Sequence, residues 1–341
     1  MCVFVLVQGY VGDRYGRKRA VMLSVFLMAG STFAMGCLPT YATVGVLAPI
    51  LLTVVRCLQG LSAGGQLAGA FCFVVERAGP ERGAFFGAIS LASSVGGTAL
   101  GSLCAAVLTT PSVMSQESLE SWGWRLPFLA GLFVGVGGHL VKDLVADDTP
   151  VPDETGAGGG NPFKSAILNH HREILTVAGA TGFWSAGFYI VTTWIPTFAA
   201  SPDLIEKPLP GAFAINTVWM LLASCVLFPG FGWLASKVTP PVVMQGAAVA
   251  GVVLCLPCFA LVIQDTEPTL ILGEGLLVVV ISAYGAALPS WMVRHFPRLF
   301  RCIFVAFVSF VKILVICARL SDRSSTRRST AGTQSSAWVT T

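Results

Sequence analysis

Long apolar runs, separated by short charged segments, dominate this 341-residue sequence and limit the folds open to it. Hydrophobic residues make up 54% of the chain and charged residues only 11%, whereas soluble domains carry about 25% charged residues. A helix needs about 20 mainly apolar residues to cross a bilayer. We therefore predict an all-α, multi-pass membrane protein whose main partner is the lipid bilayer.

The apolar runs fall into two groups separated by one long polar segment. They cover residues 20–38, 44–75, 83–109, 125–141, 173–199, 211–235, 241–263, 269–293 and, interrupted by Lys312, 302–318. We predict an N-terminal helical half at 1–141 and a C-terminal helical half at 173–318. The Pro- and Gly-rich segment 142–172 between them has the composition of a linker. The Ser-, Thr- and Arg-rich tail, 319–341, is expected to be disordered or aberrant sequence.

The distribution of Lys and Arg among the loops predicts the orientation. If loop 12–19 lies inside, the alternate loops place thirteen basic residues on that side and only Lys207 on the other. Basic residues in short loops mark the cytoplasmic side. Loop 12–19 and linker 142–172 are thus predicted to be cytoplasmic, in a protein of the plasma membrane.

Several other classes of function lack support in the sequence. No basic stripe with interleaved aromatic residues suggests nucleic-acid binding. No nucleophile–base pair or phosphate-binding loop suggests an enzyme. Cys255 and Cys258 form a C-x-x-C, but no second pair or nearby histidine completes a metal site. We predict no enzyme, no metal and no cofactor.

Four stretches carry a resemblance to a known family. They are Gly9-x-x-Gly12-Asp13-Arg14-x-Gly16-Arg17-Lys18, Arg56-x-x-Gln59-Gly60-Leu61-Ser62-Ala63-Gly64-Gly65, residues 121–128 (SWGWRLPF), and residues 284–289 (YGAALP) followed by Phe296-Pro297. In this order and spacing they resemble the major facilitator superfamily of transporters, in the form used by metabolite:proton symporters. That group includes osmoprotectant, 2-oxoglutarate and shikimate carriers.

The resemblance implies a fold of twelve helices in two halves. About nine of the expected twelve spans are present, so we expect a partial bundle that lacks the first helix, most of the second and the last. The implied function is secondary active transport of a small organic metabolite or osmolyte (an organic acid, betaine or similar) by alternating access, with protons. The alternative is a non-transporting, truncated paralogue or sensor that retains the scaffold.

Polar side chains inside the apolar runs are the candidate substrate and proton residues. Arg56 lies within a run, where a charge is costly and is normally functional, and Gln59 lies on the same helix face. The alternative for Arg56 is a structural ion pair. Gln66 stands where the resembling carriers usually have Glu, and an amide cannot carry a proton. Tyr189 and Trp194 are further candidates for lining the cavity, with membrane-interface anchoring or packing as the alternative.

Glu274 is the other carboxylate that the sequence offers for proton transfer. It lies near one end of run 269–293. The interpretation favoured from the sequence is a solvated helix end, and a proton-carrying carboxylate is the alternative.

The charged loop at the start of the chain predicts a gating latch. In the resembling carriers such contacts hold one end closed while the other is open. Asp13 is expected to cap a neighbouring helix N-terminus, and Arg17 to pair with Glu76. Gly9 and Arg14 belong to the same motif. The alternative is a solvated cluster that only fixes orientation.

Spacings of small residues predict where helices approach closely. Gly60 and Gly64, and likewise Gly97 and Gly101, are four residues apart, which is a pattern typical of close helix contact in membranes.

Overall fold

A computed structural model of the chain describes residues 17–110, 112–144, 171–201, 209, 211–264 and 266–295. Every regular element in these residues is helical. The helices are α1 (Arg17–Gly36), α2 (Tyr41–Val44), α3 (Leu47–Thr109), α4 (Gln116–Ser121), α5 (Leu126–Leu129), α6 (Gly131–Leu144), α7 (His171–Tyr189), α8 (Ile195–Ala200), α9 (Ala212–Leu222), α10 (Phe228–Lys237), α11 (Pro240–Val262) and α12 (Glu267–His295).

Short non-α segments join several of these helices. A 3₁₀ turn, Gly123–Arg125, precedes α5. The π turn Ile190–Trp194 joins α7 to α8, and the π turn Ala223–Leu227 joins α9 to α10. The two joined pairs form continuous rods, which we call the α7–α8 rod and the α9–α10 rod.

Helix α3 bends back on itself at Gly79. This residue has φ 74° and ψ −177°, and Pro80 follows it. Such a backbone conformation suits glycine, which has no Cβ to clash, and Pro80 is well placed at the start of the next helix. The bend divides α3 into a first limb (residues 47–78) and a second limb (residues 80–109). The short segment between the predicted runs 44–75 and 83–109 is therefore a tight turn.

The N-terminal half is held together by glycines that face α1. A Cβ at Gly135 would lie 3.1 Å from Ala29, and Cβ atoms at Gly131 and Gly138 would press on Thr32 and Val25. This glycine-lined face of α6 lets the two backbones approach closely. The first limb of α3 also packs on α1, where the Ser62 hydroxyl donates to the Ser24 carbonyl at 2.6 Å.

The spacing prediction for Gly97 and Gly101 is wrong for the described residues. A Cβ at either position would meet no other atom within 4 Å, and both residues are exposed. The close contacts of the second limb fall instead on a stripe of buried alanines, namely Ala84, Ala88, Ala92 and Ala99.

The centre of the C-terminal half is α12. Of its most apolar 18-residue window 72% is buried, compared with 17% for α11. Helix α12 packs against the second limb of α3, both rods and α11. Exposed apolar side chains cover the outside of the bundle, as expected for a surface that contacts lipid.

Five described helices are long and apolar enough to cross a membrane. They are Gly69–Thr109, Arg172–Ala200, Ala212–Lys237, Pro240–Val262 and Glu267–His295. Shorter apolar helical stretches lie at Val21–Gly36 and Leu47–Ser62. Together with α5 and α6, which cover run 125–141, these elements agree with eight of the predicted runs in position and in being helical. The ninth run, 302–318, the tail and most of linker 142–172 lie outside the described residues, so the count of nine spans stays a prediction.

Candidate functional site

The two halves meet along the second limb of α3. At Gly232 of the α9–α10 rod, an added Cβ would overlap Ala88, and at Gly87 it would lie 3.2 Å from the Pro289 side chain of α12. Small residues on both sides of the contact bring the helices close together. The predicted halves are thus in direct contact through one helix of the N-terminal half and two elements of the C-terminal half.

Hydrogen bonds close this contact at one end of the bundle. The Arg294 guanidinium donates to the Pro80 carbonyl, and the Phe85 N–H donates to the Ser236 hydroxyl at 3.1 Å. Lys237 lies beside Ser236 in the sequence, so we call this the basic end. It is the end predicted to be cytoplasmic.

The second limb is less buried towards its opposite end. From residue 100 to residue 107 it is exposed at every position. The close contacts given above between the halves lie at the basic end and in the middle of the bundle.

A pocket lies in the middle of this bundle. It contains about 240 Å³ of space free of protein atoms, counting space open to the outside, but it is narrow and has room for little more than one water molecule as the helices pack here. Its lining comes from the second limb of α3, both rods and α12: Val95, Phe188, Val191, Thr192, Met220, Ala223, Phe228, Val278, Ile281 and Ser282. These positions fall near the midpoint of each helix, and transporters built from two halves bind their substrates at that depth.

Glu274 lies one helical turn from this pocket and is fully buried, with 0% of its surface exposed. Its Oε1 accepts a hydrogen bond from the Asn216 side-chain amide. Its Oε2 is buried and makes no hydrogen bond with any described residue. The interpretation of Glu274 as a solvated helix end is therefore wrong, because neighbouring helices enclose the carboxyl group.

Two glycines explain how the neighbouring helices enclose Glu274. A Cβ at Gly273 would lie 2.9 Å from the Cys258 carbonyl of α11, and one at Gly275 would overlap the Trp219 ring of α9. The absence of side chains on both sides of Glu274 allows α11 and the Trp219 ring to pack directly against α12.

The π turn in the α7–α8 rod supplies the third member of this cluster. In this turn the Ile195 N–H reaches back five residues to the Ile190 carbonyl. The equivalent donor for Val191 would be residue 196, which is a proline and has no N–H. The Asn216 amide donates to the Val191 carbonyl at 2.9 Å instead. Asn216 thus bridges a backbone acceptor freed by proline and the carboxyl group of Glu274.

The predicted residues Arg56 and Gln59 lie in the N-terminal half, away from this cluster. Arg56 is exposed and its Nη1 donates to the Gln59 Oε1 at 3.3 Å; the Gln59 Nε2 donates to the Thr32 hydroxyl of α1 at 3.1 Å. Arg56 forms no ion pair with a described residue. The alternative of a structural ion pair thus gains no support, and the role of both residues in substrate binding stays a prediction.

Tyr189, Trp194 and Gln66 are not among the residues that line this pocket, and their role in substrate or proton movement stays a prediction. Tyr189 is 49% exposed, and Trp194 stacks on Phe198 at 4.9 Å and meets the edge of Phe259 at 5.7 Å. Gln66 is partly buried on the first limb of α3. The α7–α8 rod instead presents Val191 and Thr192 to the pocket.

The predicted latch falls largely outside the described residues. Gly9, Asp13 and Arg14 precede them, and Arg17 is described only as the first residue of α1. Glu76 is partly buried near the end of the first limb of α3. The latch therefore stays a prediction.

The motif at residues 121–128 has a structural role. Arg125 donates to the Ser121 carbonyl at 2.6 Å and to the Leu38 carbonyl at 3.3 Å. Its guanidinium also lies over the Trp124 ring, 4.5 Å from the centroid. Arg125 thereby ties the start of α5 to the residues that follow α1.

Asn216 is the site residue that the sequence analysis missed. Two signals were available: a lone amide inside the apolar run 211–235, and a Gly-Glu-Gly triplet inside the run 269–293. Neither signal names its partner, because the two residues are 58 positions apart.

Comparison with curated proteins finds relatives named as transporters. A "putative proline/betaine transporter" of Staphylococcus haemolyticus is 31% identical over 288 residues, which are 84% of this chain and 60% of that protein. The "proline/betaine transporter" of Escherichia coli K12 is 28% identical over 90% of this chain and 63% of its own length. The chain thus spans about three fifths of the length of these relatives.

Solved structures show the same fold. The E. coli fucose:proton symporter FucP aligns with a TM-score of 0.68 at 15% identity, covering 95% of this chain and 82% of that one. The human organic anion transporter MFSD10 aligns with a TM-score of 0.56 at 16% identity, covering 90% of this chain and 74% of that one.

The family comparison confirms the resemblance read from the four motifs. The model of the Major Facilitator Superfamily matches residues 1–300. With the described helices, it also confirms the prediction of an all-α, multi-pass membrane protein, and the superfamily it identifies is one of transporters and not of enzymes. The chain belongs to the Major Facilitator Superfamily.

Proposed function

We propose that the protein is a secondary active transporter of a small organic metabolite or osmolyte, working by alternating access and coupled to protons. The observation that carries this proposal is a narrow pocket at mid-depth where the two halves meet, with hydrogen bonds between them at the basic end. In alternating access, two halves surround one central site, and that site opens first to one side of the membrane and then to the other.

The substrate class is a small compound with a carboxylate, such as an amino acid or a betaine. Two relatives have names that specify proline and betaine. Arg56 is an exposed guanidinium on an apolar helix, and its planar fork matches a carboxylate. Gln59 holds one nitrogen of Arg56 and leaves its other donors available.

Uptake into proteoliposomes tests the proposal. The reconstituted chain is offered radiolabelled proline, glycine betaine and 2-oxoglutarate, with and without a pH gradient. We expect uptake of at least one compound, accelerated by an acidic exterior and reduced at least tenfold by Arg56→Ala. Arg77→Ala, which removes another exposed arginine of α3, is the matched control and should transport normally. Failure to take up any compound would contradict the proposal and favour the non-transporting alternative.

We propose further that the protein lies in the plasma membrane, with the basic end facing the cytoplasm. The support is the excess of Lys and Arg on that side. Single cysteines at positions 77 and 117, in a variant lacking the native cysteines, would be labelled in intact cells with a membrane-impermeant maleimide. Only the cysteine at position 117 should react. Labelling at position 77 alone would show that the protein has the opposite orientation.

The charged loop at the basic end is proposed as the gating latch. Arg17 starts α1, and Glu76 ends the adjoining limb of α3 next to the bend that receives Arg294. Asp13→Asn, Arg17→Gln and Glu76→Gln should therefore raise cysteine labelling at the basic end. Unchanged labelling in all three variants would indicate that the loop only fixes the orientation of the protein in the membrane.

A further inference from the structure

Glu274 differs from every other acidic or basic residue in the part of the chain that the structure describes. Among those whose burial the structure describes, it alone is fully buried. It lies on the most buried helix of the bundle, inside a span, two turns from the exposed Glu267 at the start of that helix. A carboxyl group placed there requires an explanation beyond packing, because intramembrane ionisable residues are costly and typically functional.

The groups that face Glu274 within the described residues are neutral. Asn216 of the α9–α10 rod donates its amide, and α11 presents the backbone of Cys258 next to Gly273. The α7–α8 rod contributes the Val191 carbonyl, which Asn216 shares.

Charged residues and histidines of the packed helices lie near the helix ends. On the two rods they are His171, Arg172, Glu173 and Lys237, and on the second limb of α3 they are Glu81 and Arg82, all at the basic end; on α12 they are Glu267, Arg294 and His295. Helix α11 has no charged residue; its titratable groups are the thiols of Cys255 and Cys258. Lys207, in the connection between the rods, lies outside the described residues.

This environment stabilises a neutral carboxyl group over a carboxylate. A buried charge without a countercharge loses its hydration and gains little in return. A proton on Oε2 removes the charge, while Oε1 continues to accept from Asn216. The arrangement is one in which helix packing and proton binding depend on each other, since loss of the proton favours exposure of the carboxylate to water.

The position of the cluster connects this proton to the pocket. Val278 and Met220, which line the pocket, lie one turn beyond Glu274 and Asn216 on their respective helices, and Val191 belongs to both the cluster and the pocket. The π turn that frees the Val191 carbonyl is also a type of distortion that is frequent at functional sites.

We propose that Glu274, positioned by Asn216, is the coupling-proton site of this carrier: it binds one proton on Oε2 when the helices pack as described, and releases it to water when they separate. The proposal rests on the proposed function, and it supplies a proton acceptor where Gln66 cannot serve as one.

Infrared difference spectroscopy tests the protonated state without requiring transport. The full chain in lipid is titrated with pH while the C=O stretch of protonated carboxylic acids is recorded. We expect a band near neutral pH that is absent from Glu274→Gln and retained in Glu267→Gln, the matched exposed carboxylate of the same helix. An identical band in all three proteins, or none in the wild type, would overturn the proposal.

Uptake of proline or glycine betaine tests the coupling. An inward pH gradient should drive accumulation by the wild type and by Glu267→Gln. In Glu274→Gln accumulation should fall to the level without a gradient, with substrate exchange still detectable. Accumulation by Glu274→Gln equal to the wild type, or driven by a sodium gradient instead, would overturn the assignment. A wild type that shows the infrared band and transports nothing would contradict the proposed function and the coupling role, and would leave the protonated carboxyl group in place.

Discussion

Arg56 and Glu274 are both ionisable residues inside apolar helices, and their surroundings are opposite. The Arg56 side chain is exposed, and its described hydrogen bond goes to a neighbour three residues along the same helix. Glu274 is fully buried between α12, α11 and the α9–α10 rod, and it contacts a residue 58 positions away. An ionisable residue in a span can thus be an exposed group ready for a ligand or a buried group that fixes how helices pack.

The difference lies in the residues next to the charged ones. Arg56 is followed by Cys57 and Leu58, which are exposed. Glu274 lies between two glycines, which let α11 and the Trp219 ring approach the α12 backbone. Small neighbours permit burial, and a buried carboxyl group then requires an amide partner such as Asn216.

The largest effect on stability is expected for Asn216→Leu. The variant leaves the Glu274 Oε1 and the Val191 carbonyl without their donor. An unsatisfied buried group costs about 1–3 kcal/mol, so we expect a loss of about 2–4 kcal/mol in unfolding free energy, measured by thermal or denaturant unfolding in detergent. Thr217→Ala is the control and should change little, because this neighbouring residue is only partly buried and its hydroxyl bonds to the Phe213 carbonyl of its own helix.

A double variant sharpens this prediction. Replacing both members of the pair, as in Asn216→Leu with Glu274→Leu, removes the unsatisfied Oε1 along with its donor. The two changes should therefore be non-additive, and the double variant should be more stable than the sum of the single losses predicts. Strict additivity would show that the two side chains do not interact in the folded protein.

The second effect concerns the glycines that allow burial of Glu274. Gly275→Ala places a methyl group on the Trp219 ring and should cost about 1–3 kcal/mol as an overpacking change. Gly97→Ala is the matched control in another span, where the methyl group meets no described atom. It should be neutral or stabilising by about 0.5–1 kcal/mol, because alanine favours helix. Equal effects of the two substitutions would contradict the described helix contacts.

The fold was predictable from the sequence because apolar length and loop charge are local properties. Eight predicted runs correspond to described helices, and the motif order agrees with the family. The contacts were less accessible, since they depend on which helix faces which. Gly97 and Gly101 have the spacing of a packing motif, yet both residues are exposed. The alanines that do pack, such as Ala88 against Gly232, form no motif that stands out in an apolar sequence.

The site was predictable only in part, for the same reason. Glu274 was recognisable as an unusual carboxylate, but its closeness to one end of run 269–293 suggested solvation. Its burial depends on Asn216 and on the carbonyl freed by Pro196, two features of separate helices. A single sequence shows each polar residue and does not show which of them meet.

A smaller effect is expected at the basic end. Ser236→Ala removes the acceptor of the Phe85 N–H, one of the bonds that join the halves. A typical hydrogen bond contributes about 0.5–1.5 kcal/mol, so stability should fall by about that amount while labelling of a cysteine placed at position 81 increases. Ser93→Ala, which loses only a bond to the preceding turn of its own helix, is the control. A decrease in labelling would show that this bond does not hold the halves together.

The smallest effect on stability is expected for Arg56→Ala, and it separates the two kinds of ionisable residue. The guanidinium is exposed and its side-chain partner is Gln59, so unfolding free energy should change by less than about 1 kcal/mol. Uptake should nevertheless be lost, because the proposed carboxylate-binding group is gone. Arg56→Lys keeps the charge but not the planar fork, and should restore transport only partly. A large loss of stability with Arg56→Ala would instead place Arg56 with Glu274, as a residue that holds helices together.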